Sequence, residues 1–305
     1  MKKILLALCV LGMFMIGGTV MAEDKLSIVA TDFPCYDFAR QVAGERANVT
    51  MLIKPGVEVH SYEPSPSDIL AISQADLFVY IGGEGDAWVR NILEGFDAGE
   101  APRSLRMMDV VEALPEAHDS EAHSHDAETP KYDEHIWTSP QNALRMVAAM
   151  ATALSEVDPD HAADYASASA NYSAQIAEID AAIAQLVQSG VRHELIFADR
   201  FPFLYLVREY GLDYTAAFPS CSAETEPSPK TIMSLIDRVI EDQIPVIYTI
   251  EMSTQTVAKT IAEATGAQIE TLHSVQTVTQ QEFEAGESYV SLMWKNVDAL
   301  QKGLS

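Results

Sequence analysis

The feature that most constrains this chain is one long helical signal, Asp158–Ser189, lying between two stretches that share the same grammar of short strands and helices. Asp158-Pro159 opens the signal and Ser189-Gly190 closes it, proline at a helix start and glycine past its end. Tyr165, Tyr172, Ile176, Ile179, Ile183 and Leu186 recur at spacings of 7, 4, 3, 4 and 3, which is one face of a single helix. At 1.5 Å per residue such a helix is roughly 45 Å long. A helix of that reach acts as a rigid spine between two lobes and argues against a large hinge closure.

On the N-terminal side, Leu26–Ala30, Val49–Ile53 and Asp76–Ile81 read as buried strands. They alternate with helical segments at Tyr36–Ala43, Ser67–Gln74, with Ser67 as its cap, and Asp86–Leu93; Gln141–Ser155 follows, with Pro140 in its first turn. On the C-terminal side, strands are expected at Glu194–Ala198, Asp213–Phe218, Val246–Ile250 and Gln268–Leu272. Helices are expected there at Phe203–Tyr210, Lys230–Asp242, Thr254–Thr265 and Glu284–Leu300. The alternation predicts an α/β protein of two lobes, each a mainly parallel sheet covered by helices. The expected boundaries are 23–157 for the first lobe, 158–189 for the linking helix and 190–305 for the second lobe. With 305 residues and 48% hydrophobic content, the chain can fill two ordinary cores.

The first 22 residues read as a secretory signal: Lys2 and Lys3, the apolar run Ile4–Ile16, then Val20-Met21-Ala22 as a cleavage site. That predicts a periplasmic or secreted protein starting at Glu23. The net charge of −26 disfavours nucleic acid and anionic membrane surfaces as partners. Once the signal is removed, Cys35 and Cys221 remain in an oxidising compartment, so a single disulfide between them is expected.

Histidines mark the candidate site. His60 lies in the stiff loop KPGVEVHSYEPSPSD, where Pro55, Gly56, Pro64 and Pro66 resist regular structure. His135 precedes the turn IWTSP, and His273 directly follows the last strand. All three, with Asp199 and Glu251, fall beyond the carboxyl ends of predicted strands, where open parallel sheets bind ligands. Neutral imidazole suits zinc and also manganese, iron, copper and nickel, and a carboxylate would complete four-coordination. No HExxH or zinc-finger cysteine pattern is present. Residues 115–133 carry His118, His123 and His125 among acids with almost no aliphatics, so they read as a loop that captures metal loosely.

PGVEVHSYEPSPSD, DEHIWTSP, the spine, REYGL at Arg208–Leu212, EPSPK at Glu226–Lys230 and the closing GESYVSLMWKNVDAL together resemble the zinc- and manganese-binding solute receptors of bacterial ABC importers. The resemblance covers nearly all of the mature chain. It implies two lobes with one metal ion between them, passed on to the membrane subunit of a permease. It also implies that His60 and His135 are the first two ligands. The family's third ligand falls here on Arg200, which cannot ligate metal, and its fourth, an acid, falls near His273. The ligand set expected from the resemblance is His60, His135 and His273, with Asp199 or water in the fourth position. The His-rich acidic loop points to the zinc branch.

The expected function is a monomeric extracytoplasmic receptor for Zn(II), not an enzyme. A Mn(II) or Fe(II) receptor of the same class is the alternative. A zinc hydrolase stands behind it, because three histidines and a water are also a catalytic arrangement. An adhesin or organic-solute receptor without metal is a further reading.

Overall fold

The computed structural model describes residues 25–97, 99–116, 131–218 and 227–305. The predicted leader, His118, His123, His125 and Cys221 lie outside these residues. Cys35 is fully buried. No helix among the described residues is long and apolar enough to cross a membrane.

The first lobe holds strands β1 (Leu26–Ala30), β2 (Ala47–Met51), β3 (Leu77–Tyr80) and β4 (Arg103–Arg106). All are parallel, in the order β2-β1-β3-β4. Its helices are α1 (Phe33–Ala43), α2 (Pro66–Ser73), α3 (Ala87–Glu94) and α4 (Pro140–Val157). The spine is α5 (Ala162–Ser189), entered through a single 3-10 turn at Pro159–His161. The second lobe repeats the plan: β5 (Glu194–Phe197), β6 (Asp213–Ala216), β7 (Val246–Thr249) and β8 (Gln268–Thr271) form a parallel sheet in the order β6-β5-β7-β8. Around it lie α6 (Leu204–Tyr210), α7 (Pro229–Glu241), α8 (Thr256–Thr265), α9 (Gln280–Glu284) and α10 (Tyr289–Leu304).

The spine buries Tyr165, Ser169, Tyr172, Ile176, Ile179 and Ile183, the stripe the spacing predicts with a serine in its gap. Three local expectations change. Ser65, not Ser67, caps α2, because Pro66 supplies the first helical residue and the Ser65 amide donates back to the Asp68 carboxylate at 2.8 Å. Strand β4 was not expected: RSLR has one aliphatic residue and sits at the sheet edge, where pattern carries little signal. The last predicted helix divides at Gly286, whose φ of +76° stops α9, and Ser288 caps α10 afresh.

One apolar core runs through both lobes, from Ile28 and Phe38 through Tyr172 to Tyr248 and Leu300. Polar stitches reinforce it. The fully buried Asp37 accepts the Tyr172 hydroxyl at 2.5 Å and the Tyr289 amide at 2.9 Å, tying α1 to α5 and α10. Trp137 Nε1 donates to the Ser274 carbonyl at 2.7 Å, Tyr205 donates to the Asp133 carbonyl at 2.7 Å, and the Gly56 amide donates to the Val278 carbonyl at 2.9 Å. Each of these bonds links the first lobe to the second.

Candidate metal centre

In both sheets the first strand has a neighbour on each side, so the chain switches direction beside β1 and beside β5. Loops after the strands meet at these switch points. Asp32 follows β1, Ile81–Asp86 follows β3, Asp199 follows β5, Glu251 follows β7 and His273 follows β8.

Three side chains of the first lobe come together there. His60, Glu134 and His135 each offer one ligand atom within 4.8 Å of the others, the one such group of three among the described residues. His60 sits in a 3-10 turn, Val59–Ser61, entered from Glu58, whose carboxylate accepts the His60 amide at 3.5 Å. Its Nδ1 is 3.4 Å from Glu134 Oε1. His135 starts the turn Ile136–Thr138 and is 4% exposed. Its amide and its Nδ1 both meet Asp133 Oδ1, at 2.8 and 3.1 Å. A ring that donates Nδ1–H to a carboxylate presents the Nε2 lone pair, the tautomer a metal needs.

Glu134 was not expected in the site. Its burial comes from the glycine loop after β3. Gly85 N–H donates to Glu134 Oε2 at 2.8 Å. A Cβ on Gly83 would lie 2.1 Å from that same oxygen, so only glycine leaves room for the carboxylate. Oε1 is buried and accepts no hydrogen bond. The sequence signal was the acid pair directly ahead of His135 in DEHI, which by itself reads as solvated charge.

Two further acids back the site. Asp32 caps α1, accepting the Cys35 amide at 3.3 Å. Asp86 Oδ2 accepts the amides of Ile81 and Gly82 at 2.7 and 3.0 Å. Burial, and then the charge of Asp86, push the Asp32 carboxyl well above the ordinary carboxylate range. Burial likewise pushes Asp86 up to about 7, with Glu134 adding to the shift. Asp32, Asp86 and Glu134 share a small cavity with Val59, Gly85, Trp137 and Gln276. Buried carboxylates this crowded favour either protons or a cation.

His273 and Asp199 are not in the group of three. His273 Nδ1 accepts the Val275 amide at 2.9 Å, so the neutral ring carries its proton on Nε2, which lies 3.8 Å from Glu282 Oε1. The Nε2–H faces that carboxylate at longer than normal hydrogen-bond distance. His273, followed by two Thr279 donors, pulls the Glu282 carboxyl down to about 2 against its partial burial. Val275 holds φ of +64°, a strained conformation for a β-branched residue. Asp199 Oδ1 accepts the Arg200 amide at 2.8 Å, and its Oδ2 is buried without a hydrogen bond. Arg200 does not enter the ligand group; its guanidinium reaches Glu58 at 3.1 Å. Glu251 accepts the Ser274 amide at 2.8 Å.

The profile of the ZnuA family, the periplasmic component A of zinc-uptake complexes, matches residues 28–303. Among relatives, the zinc-binding lipoprotein AdcA of Streptococcus pneumoniae is 32% identical over 308 residues, covering 99% of this chain and 61% of AdcA. The chain thus spans 61% of the length of that relative. The high-affinity zinc uptake system protein ZnuA of Bacillus subtilis is 31% identical over 290 residues, covering 94% of this chain and 90% of that protein. Among solved structures, the Zn(II)-bound ZnuA-like domain of S. pneumoniae AdcA superposes with a TM-score of 0.78 at 30% identity, covering 92% of this chain and 99% of that one.

Proposed function

The chain belongs to the ZnuA family, and on that premise we propose that it is an extracytoplasmic receptor that binds one Zn(II) and hands it to an ABC-type importer. The ligands are His60, Glu134 and His135, with water or the buried Oδ2 of Asp199 in the fourth position. The observation that carries this reading is the convergence of those three ligand atoms within 4.8 Å, with Asp133 holding His135 in the ligating tautomer.

Two imidazoles and one carboxylate form a borderline donor set, on which zinc outranks manganese and iron. The names of the relatives, zinc-binding and zinc-uptake proteins, agree with that order. A cation also relieves the crowding of Asp32, Asp86 and Glu134. We read the site as a receptor and not a hydrolase, since Glu134 is committed to the ion and to the Gly85 amide, which takes it out of the role of a general base. Titration of metal-stripped protein tests the proposal. One zinc per chain, bound more tightly than manganese and lost in His60→Ala and His135→Ala, is expected. Tighter manganese binding, or zinc retained by both variants, contradicts it.

A further inference from the structure

The two lobes are stitched together by Trp137, Tyr205 and the Gly56 amide. An ion therefore gains little from a swing of whole lobes. Residues 54 to 65, which carry His60, are mostly exposed or half-buried; beyond the Gly56 anchor on Val278, their backbone bonds are local, Tyr62 N–H to the Val59 carbonyl and Val57 N–H to the Lys54 carbonyl, both at 3.1 Å. Segments of this kind open at low free-energy cost.

Past the Gly56 anchor, an ion pair ties this loop to the second lobe. Arg200 Nη1 lies 3.1 Å from Glu58 Oε2. The same Glu58 carboxylate, through Oε1, accepts the amide of His60 at 3.5 Å. One carboxylate thus joins the turn that presents the ligand to a cation on the opposite lobe. Arg200 is fixed at its own end, where its amide donates to Asp199 Oδ1 at 2.8 Å. Neither Glu58 nor Arg200 is in the ligand group.

We propose that Arg200 and Glu58 form a clasp that positions the His60 turn and gates zinc exchange: the ion enters and leaves when the clasp opens, with the lobes staying docked. Arg200 is a positioning residue that acts through Glu58. The inference rests on the zinc-receptor reading for its cargo, while the clasp itself is a property of the metal-free protein. A gate lies on the path both in and out. Breaking it raises the association and dissociation rates together and leaves the affinity nearly unchanged. Removing a cation that merely repels zinc would raise association alone. Removing a structural support would weaken binding.

The experiment compares wild type, Arg200→Gln, Glu58→Gln, the double variant and Arg200→Lys, as full mature chains. Hydrogen exchange of the metal-free proteins is read at the His60 and Tyr62 amides. Zinc association, and release to a chelator, are followed by stopped flow. Partly exposed ion pairs have modest strength, so each Gln variant is expected to speed exchange of those amides, zinc association and zinc release by about threefold to fivefold. The affinity should stay within about twofold. The double variant should be no faster than either single one, because both remove the same contact. Arg200→Lys, which keeps the charge, should fall near wild type. Unchanged amide exchange in the Gln variants, or effects that multiply in the double variant, overturn the clasp. If wild type binds no zinc, the receptor reading fails by itself and the amide exchange still decides whether the clasp exists. Accelerated amide exchange with unaltered zinc rates overturns its role as a gate.

Discussion

His135 Nδ1 stands 3.1 Å from Asp133 Oδ1, and the same oxygen takes the His135 amide at 2.8 Å. One carboxylate oxygen therefore fixes both the backbone and the ring tautomer of a proposed ligand. Asp133 is itself held by the bond from its amide to the Leu114 carbonyl, at 2.9 Å. Partners of metal-bound imidazoles commonly account for about tenfold to a hundredfold in affinity. Asp133→Ala should weaken zinc binding by that factor in a chelator competition while the circular dichroism stays native. Undiminished affinity would show that the tautomer is set elsewhere.

Gly83→Ala tests the cradle of Glu134. The added Cβ would sit 2.1 Å from Glu134 Oε2 and 2.2 Å from its Cβ, neither of which can be tolerated. Glu134 must be displaced, at a cost on the order of 1–3 kcal/mol. Zinc affinity should fall with stability. Gly85→Ala, whose Cβ would come no nearer than 3.1 Å, should do less. Equal effects in the two variants, by thermal melting and zinc titration, would refute the steric account.

His273 tests the proposed ligand set from outside it. It is 5% exposed, it is bonded through its backbone to Asn296 at 2.6 and 2.8 Å, and its Nδ1 accepts the Val275 amide. His273→Ala should leave one zinc per chain with affinity within a few-fold of wild type. It should also cost about 1–3 kcal/mol of stability, because a buried amide loses its acceptor. Loss of zinc binding as complete as in His60→Ala would place His273 among the ligands.

The buried acids predict a pH dependence. Asp86 holds its proton in the folded protein up to about 7, while the unfolded chain releases it near the ordinary carboxylate value of 3.8. Between those limits the folded state binds more protons, so stability falls as pH rises through the window. Asp86→Asn should flatten this slope in melting temperature between pH 4 and 7. Zinc beside the cluster favours the ionised acids, so binding at pH 6 should release protons, measurable as a buffer-dependent heat of binding. Identical heats in buffers of different ionisation enthalpy would rule out the coupling.

Much of the fold is legible in the residues. Apolar runs such as LSIVA and DLFVYI, each closed by a turn signal, specify buried parallel strands, and the stripe from Tyr165 to Ile183 specifies the spine. The edge strand Arg103–Arg106 escapes because it is polar and is held by pairing with β3 rather than by its own burial. The site is legible only in part. His60 and His135 stand out as lone imidazoles in stiff turns. Glu134 does not, because what buries it is a pair of glycines 49 and 51 positions earlier in the chain. His273 shares the strand-end position of a ligand, yet the direction of its ring is set by Val275, whose positive φ no local pattern predicts.

The proposed centre holds one cation between His60, Glu134 and His135. A zinc-edge anomalous difference map of a crystal grown with equimolar zinc tests it most directly. The expected result is a single strong peak bonded to an imidazole nitrogen of His60, Nε2 of His135 and Oε1 of Glu134, at about 2.0–2.2 Å. A peak on His273, or one that leaves Glu134 bonded to the Gly85 amide alone, would contradict it.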